Sequence, residues 1–70
     1  MIEDVGLREL REERLLSQKE LAAKARVSNK TIADIESGRI RPHPATLRKL
    51  ARALGVPNAA LAEHLRRSEP

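Results

Sequence analysis

Ser28, Asn29 and Lys30 are consecutive, and Asp34 follows Lys30 by four positions. This short stretch therefore carries a hydroxyl, a carboxamide, an ammonium and a carboxylate. A carboxamide can meet the donor–acceptor edge of adenine with two parallel hydrogen bonds, and an ammonium can donate to O6 and N7 of guanine. Asp34 can accept from the amino group of cytosine, or orient Lys30, its neighbour at i−4. These are chemistries of recognition rather than of bond breaking. The chain has no cysteine, and its two histidines, His43 and His64, lie far apart. No metal site is expected from them. Ser17, Ser28 and Ser37 are accounted for by helix ends, the carboxylates read as solvated helix faces, and there is no glycine-rich phosphate loop. No enzyme activity, no cofactor and no small-molecule ligand is expected.

For those polar groups to face one way, their stretch must be a helix with an apolar inner side. Ser28 is a good N-cap. Ile32 and Ile35 fall on one face, and Ser37-Gly38 suits a left-handed C-terminal end. The preceding helix opens with Ser17-Gln18-Lys19-Glu20, which has the form of a capping box. Leu21, Ala22 and Ala25 then share a face at helical spacing. Arg26-Val27-Ser28 joins the two. A small residue at Ala22 lets the two axes approach at a steep angle, and Val27 fills the corner. The outer face of the second helix of this pair is left free, as in a helix-turn-helix.

The rest of the chain supports that unit. A first helix over residues 5–14 offers Leu7 and Leu10. Pro42 and Pro44 mark a loop over residues 39–43, and Pro44 suits the first turn of a helix over 44–54. That helix presents Leu47, Leu50, Ala51 and Leu54, and Gly55 stops it. A last helix over 59–66 offers Leu61 and Leu65, and residues 68–70 are expected to fray. The expected fold is all-α, one domain over residues 1–70, with helices at 5–14, 18–25, 29–37, 44–54 and 59–66.

A chain of 70 residues without Phe, Tyr or Trp must build its core from Leu, Ile, Val and Ala, and is only just large enough to fold alone. The absence of cysteine removes disulfides and suggests an intracellular setting. No apolar run is long enough to span a bilayer, and the acidic start Met1-Ile2-Glu3-Asp4 is unlike a secretory signal. A cytoplasmic protein without membrane association is expected. The net charge of +4 is unevenly spread. Residues 1–23 have four bases and six acids, residues 24–52 have eight bases and two acids, and the remainder balances. A basic middle between neutral or acidic ends suggests one cationic face, for which double-stranded DNA is the natural polyanion.

Read in order, the sequence is similar to the Cro and phage-repressor (XRE-like) family of helix-turn-helix regulators. The resemblance is carried by Leu10-Arg11, Leu16-Ser17-Gln18-Lys19-Glu20-Leu21-Ala22, Val27-Ser28, Thr31-Ile32 and Ile35-Glu36-Ser37-Gly38. It continues through Arg41-Pro42, Leu47-Arg48-Lys49-Leu50-Ala51 and Leu54-Gly55-Val56, and extends without gaps over residues 7–65. It implies the five-helix repressor fold. It also implies that Gln18 contacts a DNA phosphate, that Ser28, Asn29, Lys30 and Asp34 read bases, and that Arg39 and Arg41 grip the backbone. Arg11 and Glu36 resemble an internal ion pair of structural purpose. The sequence departs from the family where glycine is common, carrying Leu15 and Arg26 instead. A left-handed conformation at either would cost roughly 1–2 kcal/mol relative to glycine.

One domain of this size reads only a few base pairs. A homodimer on a palindromic or pseudo-palindromic operator is therefore expected, with half-sites about one helical turn apart. Apolar residues of the last two helices and the turn between them, Val56, Ala60, Leu61 and Leu65, are the expected contact between copies. The alternative is an antitoxin or adaptor module of the same fold that acts mainly through a protein partner.

Overall fold

The computed structural model describes residues 6–67 of the chain, and the side chains of residues 6–65. Five helices follow one another: α1 Leu7–Glu13, α2 Gln18–Ala25, α3 Asn29–Glu36, α4 Pro44–Leu54 and α5 Asn58–Arg67. The described residues contain no strand. The boundaries differ slightly from those expected. Arg14 caps α1 rather than extending it, and Ser37 caps α3. The last helix is one residue longer at each end. Val5, expected in the first helix, lies outside the described residues.

The core is the meeting of one stripe from each helix. Leu7 and Leu10 come from α1, Leu21, Ala22 and Ala25 from α2, Ile32 and Ile35 from α3, Leu50, Ala51 and Leu54 from α4, and Leu61 from α5. Each set recurs at the three-to-four-residue spacing that keeps side chains on one side of a helix. Leu16, Val27, Leu47, Ala53, Val56 and Leu65 close its margin. α2 packs on both α3 and α4, while α1 touches α3 and α5.

Helices α1 to α4 all end in the same way. A left-handed residue follows each: Leu15 at φ 57°, Arg26 at 61°, Gly38 at 81° and Gly55 at 74°. The amide after it reaches back five residues, as in Leu16 to Arg11, Val27 to Ala22, Arg39 to Asp34 and Val56 to Ala51. This is the Schellman arrangement, which satisfies carbonyls that a helix end would otherwise leave open. Two of the four positions, Leu15 and Arg26, lack glycine. At the opposite ends, Ser17 and Glu20 exchange both bonds of the capping box, and Ser28 Oγ accepts the Thr31 amide.

Two long-range contacts tie the outer helices to this frame. Arg14 Nε donates to the carbonyl of Leu54 at 2.6 Å, holding the end of α4 against the end of α1. His64 Nε2 on α5 lies 3.4 Å from Glu9 Oε1 on α1, and the histidine is partly covered. Leu61, expected at a contact between copies, is fully buried in the chain's own core and has no surface left to offer. Val56 and Leu65 are half-buried, and Ala60 is exposed.

Candidate nucleic-acid interface

α3 is positioned by its buried side. Ile32 is fully buried and Ile35 nearly so, which fixes the rotation of the helix. Ala22 is also buried, and Val27 closes the corner between α2 and α3. The opposite side of α3 carries Asn29 and Lys30, both exposed. Lys30 Nζ lies 3.1 Å from Asp34 Oδ2, with the lysine side chain 79% exposed and the aspartate 18%. Asp34 is thus less outward than expected, because Lys30 and Arg39 flank it; Arg39 Nη1 lies 4.0 Å from its other oxygen. Its charge faces the side chains of Lys30 and Arg39 rather than open solvent.

Ser28 is more committed than its expected base-reading role requires. Its Oγ holds the Thr31 amide at 3.0 Å and shares a 2.8 Å hydrogen bond with Thr31 Oγ1. Arg39 and Arg41 are both exposed in the loop between α3 and α4.

Behind this face lies the ion pair. Arg11 Nε donates to Glu36 Oε2 at 2.6 Å and Nη2 to Oε1 at 3.2 Å. Arg11 Nη1 donates to the carbonyl of Leu16 at 2.7 Å. The two side chains are only 11% and 6% exposed, so this is a buried, two-pronged pair rather than two surface charges. The Arg11 guanidinium is held above its ordinary pKa, chiefly by its hydrogen bond to Glu36. Burial works the other way, and the charges of Glu36 and Glu12 add to the rise. Gln18 joins the pair: its Nε2 donates to Glu36 Oε1 at 3.0 Å. The structure thus brings together Arg11, Gln18 and Glu36 from α1, α2 and α3, and separately Lys30, Asp34 and Arg39.

Beside this network is a cavity of about 370 Å³ lined by Arg8, Arg11, Gln18, Ala33, Glu36 and Ser37. Arg8 carries no site role in the expectation from sequence, and Ser37 only that of a helix end. Nothing local distinguishes Arg8 from a solvated helix face, since it also makes an ordinary i,i+4 pair with Glu12 at 3.1 Å. The described residues hold no group of three or more acidic, histidine or cysteine side chains placed to bind a metal. No described helix is long and apolar enough to cross a membrane.

Two capped helices at a close, valine-filled corner, with an exposed polar face on the second, make a helix-turn-helix. A family model described as helix-turn-helix matches residues 7–57. The chain belongs to this family, of the Cro and phage-repressor type. The family is one of transcriptional regulators and not of enzymes. The helix-turn-helix protein is 50% identical over 56 residues to the transcriptional repressor RghR of Bacillus subtilis, covering 79% of the chain and 42% of that relative. It is 42% identical over 55 residues to the immunity repressor protein of Bacillus phage phi105, covering 79% of the chain and 38% of the relative. It is 46% identical over 51 residues to multiprotein-bridging factor 1 of Candida albicans, covering 73% and 34%. The helix-turn-helix chain therefore spans about two fifths or less of the length of these relatives.

Proposed function

We propose that the protein is a sequence-specific, double-stranded DNA-binding regulator of transcription in the cytoplasm, with α3 seated in the major groove. The observation that carries this reading is the exposed face of α3. Asn29 and Lys30 stand clear of the core while Ile32 and Ile35 anchor the helix behind them. Asn29 is the candidate for adenine and Lys30 for guanine, with Asp34 setting the direction of Lys30. Ser28 serves first as the cap of α3 and contributes at the edge of the base contact. Gln18, Arg39 and Arg41 hold backbone phosphates on either side, and backbone contacts of this kind set register without reading sequence.

The protein acts as a two-fold homodimer. The helix-turn-helix domain extends 29 Å along its longest axis, less than the roughly 34–36 Å between half-sites one turn apart. Reading two half-sites therefore needs two copies. Val56, Ala60 and Leu65 are the proposed contact between them. A second reading, an adaptor or antitoxin that works through a protein partner, is favoured only by the resemblance to a relative named a bridging factor.

The test is selection of bound duplexes from a random pool at near-physiological salt. A two-fold symmetric motif with half-sites about one turn apart is expected. Recovery of no motif, with only general salt-sensitive binding, would reduce the cationic face to backbone affinity and favour the protein-partner reading.

A further inference from the structure

Two arginines three positions apart at the end of α1 reach into different parts of the fold. Arg11 reaches α3, where its Nε donates to Glu36 Oε2 at 2.6 Å. Arg14 reaches the end of α4: its Nε donates to the carbonyl of Leu54, also at 2.6 Å, and its Nη1 to the carbonyl of Leu10 at 3.3 Å. Leu54 is the last residue of α4. Its carbonyl has no amide ahead of it within the helix and lies at the negative end of the helix dipole, so a guanidinium suits it as a cap. Gly55 turns left-handed directly afterwards, and the amide of Val56 bonds back to Ala51 at 3.0 Å. Val56 thus stands two residues beyond the atom that Arg14 holds, in a turn closed by its own amide. On the same side of the fold, Glu9 of α1 lies 3.4 Å from His64 of α5. α3 packs mainly on α2 and α1, and α5 mainly on α4 and α1. The one neighbour they share is α1.

We infer that Arg14 is a positioning residue for the spacing between half-sites. It fixes the α4–α5 turn against α1, and α1 fixes α3 through Arg11 and Glu36. The distance and twist from the contact between copies to the recognition helix are therefore set within each chain by one short helix. The inference rests on the two-copy reading, with Val56 at the contact, and deepens it. A dimer can prefer one spacing only if each copy carries its recognition helix at a fixed offset from the contact. The Arg14 side chain is 34% exposed, so water can reach the Leu54 carbonyl when the guanidinium is removed. The fold then survives while the turn loses its brace.

The test measures affinity of the full chain for three sets of duplexes: the selected site, the same site with one base pair added or removed between the half-sites, and a single half-site. One base pair turns a half-site by roughly one tenth of a helical turn. Wild type should bind one spacing best. Arg14→Met should bring the ratio between the best and the neighbouring spacings down towards unity, with single-half-site affinity and base preference unchanged. Arg14→Lys, which keeps a charged donor, should restore part of the ratio. Ser17→Ala, a destabilising change at another helix end, should leave the ratio as in wild type. A ratio that survives Arg14→Met, or falls equally in Ser17→Ala, would make Arg14 a brace of the fold alone and overturn the inference while the two-copy reading stands. A wild type indifferent to spacing, or one that binds no duplex, would overturn the two-copy reading and the inference with it.

Discussion

Arg11 and Glu36 stand 25 positions apart in sequence and 2.6 Å apart in space, and the bond between them ties α3 to α1. Each is more than four-fifths covered. A buried pair of this kind adds little over a well-packed apolar pair, but losing one partner leaves an unpaired charge in a poorly solvated place. Arg11→Ala and Glu36→Ala are each expected to destabilise the fold by about 3–5 kcal/mol, seen as a lower urea midpoint at unchanged slope. The double change Arg11→Met with Glu36→Leu should regain most of that loss. If the double variant is as unstable as the worse single one, packing rather than charge would explain the pair.

The two left-handed residues that are not glycine give the opposite sign. Leu15 and Arg26 sit at φ 57° and 61°, a conformation that disfavours a side chain by roughly 1–2 kcal/mol. Glycine gives back part of that through its freer unfolded chain, about 0.4–1 kcal/mol. Leu15→Gly and Arg26→Gly should therefore each stabilise by about 0.5–1 kcal/mol, which in a domain of this size raises the melting temperature by a few degrees. Leu15 is 89% exposed, so removing its side chain gives up almost no packing. Gly55→Ala, at φ 74°, should lower the melting temperature. A rise for Gly55→Ala, or a fall for both glycine substitutions, would contradict this account of the helix ends.

The helix ends also show what a sequence can and cannot convey. Gly38 and Gly55 announce their turns by residue type, and Ser17, Ser28 and Pro44 announce the starts that follow. The two other turns are legible only as positions where the family commonly has glycine, because Leu15 and Arg26 have no intrinsic preference for them. The core stripes were readable from spacing alone. Distant partners were not, and the one such pair expected, Arg11 with Glu36, came from the family resemblance. Arg14 reaches a carbonyl 40 positions away, and every residue has a carbonyl, so no residue type marks the acceptor. Gln18 could be placed at a helix start, but its bond to Glu36 across 18 positions depends on the angle between α2 and α3. Leu61 carries the same apolar label as Leu65, and only the packing of α5 on α4 decides which is buried.

Capping should contribute measurably to the stability of the helix pair. The Ser17 hydroxyl accepts the Glu20 amide at 3.0 Å, and the Glu20 carboxylate accepts the Ser17 amide at 2.8 Å. Ser17→Ala should cost about 1 kcal/mol, measured by urea unfolding. Ser28→Ala removes the corresponding bond at α3 and should lose a similar amount. Because Ser28 also borders the recognition face, its variant should lose more DNA affinity than Ser17→Ala at matched stability. Equal losses of affinity would assign Ser28 to capping alone.

On the recognition face, base readers and backbone holders should separate by how their loss is distributed over sequences. Asn29 and Lys30 are exposed on α3 with nothing of the core resting on them, so replacing them should leave the fold intact. Asn29→Ala and Lys30→Ala are each expected to lose about 1–3 kcal/mol of discrimination at one base position, flattening that column in a repeated selection. Arg39→Gln should instead weaken binding to all duplexes alike and reduce the salt slope. Asp34→Asn keeps the shape of its side chain but removes the charge that faces Lys30 at 3.1 Å. It should strengthen non-specific binding while broadening preference at the position Lys30 reads. Asp34→Asn with undiminished preference there would mean that Lys30 finds its base without help, and that the carboxylate serves the loop through Arg39.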